Sequence, residues 1–285
     1  FIFGVLLTVV FGFAESVTDV RALFIGAVMT ATSIGITARV LGDMRQLSTP
    51  EGVTILGAAV LDDIVGILIL TIVVGLAYSG EVSSSSIGLV ALKAIGFWLL
   101  LTTLGILPKE HISRLVCGFR GMGASIGLAM AMAFFAAALA ESFGLAMIIG
   151  AFSMGLALSG TELSKRLEEP LHALFAMLVP IFFVVMGMLV DLSSMGGIWV
   201  FGVVITIFAV IGKLIGSGLP SVLAGFNRKG AWRIGVGMLP RGEVALIMAG
   251  IGFSKGILAS DLYGVTILMT VVTTVIAPPI LSASF

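Results

Sequence analysis

Two adjacent carboxylates, Asp62 and Asp63, interrupt the otherwise apolar run from Val53 to Leu76. The run is long enough to cross a bilayer as a helix. One ionisable side chain at that depth costs at least ~2.5 kcal/mol, and two neighbours cost more. Such a pair is placed in a membrane where protons or cations must reach it. Lys213 sits mid-way along a second apolar run, Ile205 to Gly218. It is too deep to snorkel easily to either interface and needs an anionic partner. Successive helical residues are about 100° apart, so one aspartate can face Lys213 while the other faces a cavity. A purely structural Lys–Asp pair would leave the second aspartate unexplained.

Two further runs carry their own interruptions. Between Met29 and Arg39, Thr30, Thr32, Ser33 and Thr37 place hydroxyls, with Gly35, at mid-membrane. Such hydroxyls often bond back to their own helix, so that run alone is weak evidence. Between Gly237 and Ile247, Pro240 and Gly242 flank Arg241, with Glu243 following. Proline removes a backbone donor and clashes with the preceding turn, so the helix is expected to break there. A break at membrane depth is tolerated where the freed backbone groups line a cavity or bind an ion. The half-helix ends bring partial charges of both signs to the midplane, which buried ionised residues can balance.

The elements that must position these groups are membrane helices. Apolar residues make up 59% of the chain and charged residues 11%, against roughly 45–50% and a quarter for soluble domains. Mean hydropathy is +1.23. A soluble fold cannot bury that much apolar surface, and the 37 glycines suit helices that approach closely in lipid. The pattern predicts an all-α polytopic membrane protein with about ten spans, near 1–14, 22–46, 52–78, 86–107, 115–140, 143–160, 171–192, 197–224, 231–254 and 262–283. The short first span, starting on Phe1, reads as a helix lacking upstream residues. It has neither the basic start nor the cleavage site of a signal peptide.

Loop charges alternate. Arg45, Lys109, Arg114, Arg120, Lys165, Arg166, Arg228, Lys229 and Arg233 fall on one side. Arg21 and Lys255 fall on the other with Glu15, Asp19, Glu81, Glu141, Asp191 and Asp261, and Lys93 lies inside the fourth span. The positive-inside rule places the basic loops and the C-terminus in the cytoplasm. Net charge is zero, so the basic loops report topology and not nucleic-acid binding. Cys117 is the only cysteine, which excludes an internal disulfide or cysteine metal cluster. His111 and His172 are too far apart in sequence to read as a metal pair. Ser83 to Ser86 forms a short polar external loop.

Four segments carry a resemblance: Thr32 to Leu41, Gly57 to Asp63, Pro180 to Asp191, and Leu239 to Ile247. Together they resemble bacterial sodium/proton antiporters of the second branch of the monovalent cation:proton antiporter superfamily. The resemblance implies an inverted-repeat fold with two crossed discontinuous helices, a pattern general to such transporters. It implies that about three N-terminal helices precede Phe1. On that basis 1–79 is the first half of an ion-binding core domain, 80–114 a linker helix and loop, 115–195 dimerisation-panel helices, and 196–285 the second half of the core. Asp63 becomes the main cation and proton carboxylate, and Asp62 the partner of Lys213 or a second sodium ligand. Thr32 and Ser33 line the site, with Arg39, Arg241 and Glu243 as supporting charges, a Glu243–Arg39 or Glu243–Arg241 pair steadying the breaks. Carboxylate, hydroxyl and carbonyl oxygens suit a hard cation.

The implied function is alternating-access exchange of sodium or lithium for protons across the cytoplasmic membrane, electrogenic, by a homodimer that needs no cofactor. Potassium/proton exchange or potassium efflux is the alternative within the superfamily. An intramembrane aspartyl protease is excluded, because its two carboxylates face each other from separate helices. A membrane sensor that binds the cation without transporting it is the remaining alternative.

Overall fold

The computed structural model describes residues 1–79, 84–119, 121–143, 145–191 and 193–285. Glu81, Ser83 and Arg120 lie outside the described residues, and Ser84 to Ser86, expected in a loop, open a helix instead. The described residues form α-helices and no strand. In chain order the helices are α1 (Ile2–Val10), α2 (Val20–Val28), α3 (Ile34–Asp43), α4 (Pro50–Ser79), α5 (Ser84–Ile106), α6 (Lys109–Cys117), α7 (Met122–Ser142), α8 (Met147–Leu158), α9 (Glu162–Met188), α10 (Trp199–Leu223), α11 (Arg228–Gly237), α12 (Glu243–Ser254) and α13 (Ser260–Ser284).

Six of these, α4, α5, α7, α9, α10 and α13, are long and apolar enough to cross a membrane. The other expected spans are shorter or divided. The segment near 1–14 holds the nine-residue α1, and that near 143–160 holds the twelve-residue α8. The segments at 22–46 and 231–254 are each two helices, α2 with α3 and α11 with α12. At 1.5 Å per residue such helices are about 14–18 Å long, half of a ~30 Å hydrocarbon core.

The chain divides into two compact units, residues 1–66 with 183–285, and residues 67–182. In the first, α10 packs on α11 and α13, α1 on α2, and α12 on α13. Gly4 and Gly26 let α1 meet α2, since a Cβ on Gly4 would lie 2.7 Å from the Gly26 Cα. Leu41, Ile55, Val236, Leu239 and Leu281 are buried together beneath the α11 end. In the second unit, α8 packs on α5 and α7. Gly150 sits so close to the Ala136 carbonyl that any side chain there would overlap it. The Ser113 hydroxyl accepts from the Leu163 amide at 3.0 Å, tying α6 to the start of α9.

Candidate functional site

Local sequence sets the two interruptions in the first unit. α2 starts from Asp19, whose carboxylate accepts from the Arg21 amide at 2.9 Å. It ends where Thr30 turns its hydroxyl onto the Ala27 carbonyl, 2.7 Å away. Ala31 to Ser33 are non-helical, and α3 restarts from Ser33 in extended backbone. α11 starts from Asn227, which accepts from the Gly230 amide at 2.7 Å. It stops at Gly237, ahead of Pro240, and α12 restarts at Glu243.

The two non-helical stretches bond to each other. The Ser33 amide donates to the Pro240 carbonyl at 2.7 Å, and the Thr37 hydroxyl to the Gly237 carbonyl at 2.7 Å. Arg241 is 1% exposed. Its Nη2 donates to the Met29 carbonyl at 2.6 Å, next to the C-terminal end of α2. That position lets a cation offset the negative end of the α2 dipole. The Arg241 carbonyl accepts from the Thr274 hydroxyl. Gly242 is required by proximity, because a Cβ there would stand 2.8 Å from the Ser33 Oγ.

Asp62 and Lys213 meet beside this junction. Lys213 Nζ lies 3.1 Å from Asp62 Oδ2 and 2.5 Å from the Thr32 hydroxyl. The two charged side chains are 12% and 22% exposed. Together with Thr30, Phe208, Ser217 and Arg241 they line a cavity of about 530 Å³. Asp63 is on the next step of α4 and does not line that cavity. Its Oδ1 is buried and takes no hydrogen bond from the described residues. Adjacency on one helix thus sends the two carboxylates different ways, but the one paired with Lys213 is also the one that faces this cavity.

The supporting charges fall differently from the expected pairs. Glu243 accepts from the Ser33 hydroxyl at 3.3 Å. Among the described residues it forms a salt bridge with neither Arg39 nor Arg241. Arg39 is exposed on α3. Arg241 turns to backbone carbonyls, leaving its Nε and Nη1 buried without acceptors among the described residues. Sequence reasoning grouped Thr37 with the mid-membrane hydroxyls without giving it a partner, and did not single out Thr274 or the Met29 carbonyl. Thr37 carries a faint signal, being a hydroxyl one turn beyond Ser33 and so on the same helix face.

The whole chain, residues 1–285, matches the family described as "Sodium/hydrogen exchanger, transmembrane". It is 36% identical over 267 residues to the Na(+)/H(+)-K(+) antiporter GerN of Bacillus cereus, covering 93% of this chain and 68% of that protein. It is 38% identical over 273 residues to the high-affinity Na(+)/H(+) antiporter NhaS3 of Synechocystis sp., covering 94% and 59%. The K(+)/H(+) antiporter subunit KhtU of Bacillus subtilis is 30% identical over 256 residues, covering 89% and 62%.

Proposed function

Because the chain belongs to the transmembrane sodium/hydrogen exchanger family, we propose that it exchanges a monovalent cation, sodium or lithium first, for protons at Asp63. The observation that carries this reading is the Lys213–Asp62 contact of 3.1 Å beside a second carboxylate. Both lie where two interrupted helices bond to each other. In this reading Lys213 holds Asp62 when the cation is absent, and Asp63 alternates between proton and cation. Thr32 and Ser33 supply oxygens, or line the path to them. Arg241 and Glu243 steady the two breaks, with Arg39 nearer the α3 surface. Release of Lys213 from Asp62 would free a second proton, giving an electrogenic exchange of two protons for one cation.

The accompanying architecture is a ten-span inverted repeat with α2–α3 and α11–α12 as crossed discontinuous helices. Residues 1–79 and 196–285 are the halves of its core, 80–114 the linker, and 115–195 the dimerisation panel. Packing of residues 1–66 with 183–285 as one unit supports the pairing of those halves. The protein would lie as a homodimer in the cytoplasmic membrane with its C-terminus in the cytoplasm, each core rocking to alternate access.

Potassium is the second reading, favoured by the names of two relatives, one a Na(+)/H(+)-K(+) antiporter and one a K(+)/H(+) antiporter subunit. Both are tested in everted vesicles from antiporter-deficient bacteria holding a proton gradient reported by a pH-sensitive dye. Sodium- or lithium-driven dequenching that disappears in Asp63→Asn supports exchange at that carboxylate. A response to potassium alone moves the chain to the second reading. Silence toward every cation, in folded and inserted protein, overturns exchange and leaves a sensor.

A further inference from the structure

At the far end of α11 from the helix break, a cavity of about 490 Å³ opens between the first turns of α11 and the last residues of α13. Arg228, Lys229, Trp232 and Arg233 line it, with Ala283 to Phe285. Arg233 is fully engaged. It donates to Glu51 at 3.1 Å, to the Ser284 carbonyl at 3.0 Å and to the Phe285 carbonyl at 3.2 Å, and it lies 4.4 Å from the Phe285 ring centre. Arg228 and Lys229 are exposed and make no hydrogen bond or ion pair with the described residues. Glu51 is taken up by Arg233, so Arg228 and Lys229 are the two lining cations left without a carboxylate among the described residues.

The surroundings are apolar. Trp232 is 49% exposed, and α10, which packs on α11, exposes Leu219, Val222 and Leu223 in its last turns, the last at 84%. An indole beside free cations at the end of membrane helices is the composition of a bilayer interface. A small soluble anion would use the cations but not the indole. A lipid phosphodiester uses the cations and the indole together, with its acyl chains in the bilayer. We propose that this cavity is a headgroup site for an anionic glycerophospholipid. Its phosphate is held by Arg228 and Lys229, Trp232 packs at the glycerol level, and Arg233 forms the fixed wall. The site rests on membrane embedding and is independent of the exchange chemistry at Asp63.

The test titrates purified protein in mild detergent with phosphatidylglycerol or phosphatidylcholine and counts bound lipid by native mass spectrometry. Arg228→Gln/Lys229→Gln is expected to weaken phosphatidylglycerol binding about 30-fold while leaving phosphatidylcholine unchanged. Removing two cations elsewhere, Lys109→Gln/Lys165→Gln, is expected to change neither. Trp232→Leu should weaken the same lipid without altering the charge. Equal phosphatidylglycerol binding by the Arg228/Lys229 variant and the parent overturns the site, as does an equal loss in the Lys109/Lys165 variant. Full displacement of the lipid by inorganic phosphate would instead assign a soluble anion and overturn the lipid. Melting of each variant in phosphatidylcholine separates loss of the site from loss of the fold.

Discussion

Replacing Lys213 by Met keeps the length of the side chain and removes its charge, so it isolates what the ion pair contributes. At 3.1 Å, two unit charges attract by about 5 kcal/mol at an effective dielectric of 20. Desolvation of both groups offsets much of that, so the net value of the pair is small. The cost of breaking it is not. Asp62, 22% exposed, would keep a charge with no partner, and the Thr32 hydroxyl would lose its donor. Stranding one member of a buried pair costs about 3–5 kcal/mol. Asp62 also lines the cavity, where water can solvate it, so the lower figure of about 3 kcal/mol is expected. On the scale of globular domains that lowers the melting midpoint by roughly 6–12 °C. Adding Asp62→Asn to Lys213→Met removes the stranded charge and should recover most of the loss. The assay is fluorescence-detected size exclusion after heating in detergent at one fixed ramp, run on parent, single and double variants. A Lys213→Met midpoint equal to the parent refutes the pairing. So do single losses that simply add in the double variant, because residues in contact must couple.

Two further outcomes test the framework around the pair. Gly242→Ala, which would place a Cβ 2.8 Å from the Ser33 Oγ, should cost about 1–3 kcal/mol; Ser33→Gly in the same chain should restore the midpoint, and an undiminished Gly242→Ala protein would show that the breaks do not need to touch. At the start of α2, Arg21 donates to the Asp19 carboxylate from Nη2 at 2.7 Å and from Nε at 3.1 Å, holding that carboxyl below the usual aspartate range. A lowered carboxyl stabilises the fold fully above the ordinary aspartate value near 3.9 and loses that stabilisation as pH falls through its own lower value. Melting followed from pH 5 downward should therefore fall more steeply in the parent than in Asp19→Asn, and parallel curves would count against the interaction.

Residues that violate their surroundings were the legible part of the chain. Asp62, Asp63 and Lys213 are charges in apolar runs, and Pro240 is a missing donor within an apolar run long enough for one helix, so each announces itself without a partner in view. Their partners are less legible. Thr37 reaches Gly237 and Arg241 reaches Met29 across about two hundred residues of sequence, and the acceptor in each case is a backbone carbonyl. A carbonyl has no residue type, so no pattern in the sequence marks it. The expected Glu243–arginine pairs failed for the same reason. Charge complementarity suggested carboxylates for Arg241, whose Nη2 donates instead to the Met29 carbonyl at the end of α2.

The same logic explains why the two interruptions stand together. Ending α2 at Val28 and α11 at Gly237 leaves carbonyls and amides that, in an apolar surrounding, cost several kcal/mol apiece if unpaired. One break alone would need water or side chains to satisfy them. Here the Ser33 amide meets the Pro240 carbonyl, and the Met29 and Gly237 carbonyls receive Arg241 and Thr37. Each break therefore supplies donors or acceptors that the other lacks. The glycine at 242 is what allows the backbones near enough to do so. A site assembled this way holds Thr32 and Ser33 beside Asp62 and Lys213 through backbone geometry. Substitutions that separate the breaks should therefore disturb the ion pair without touching either of its members.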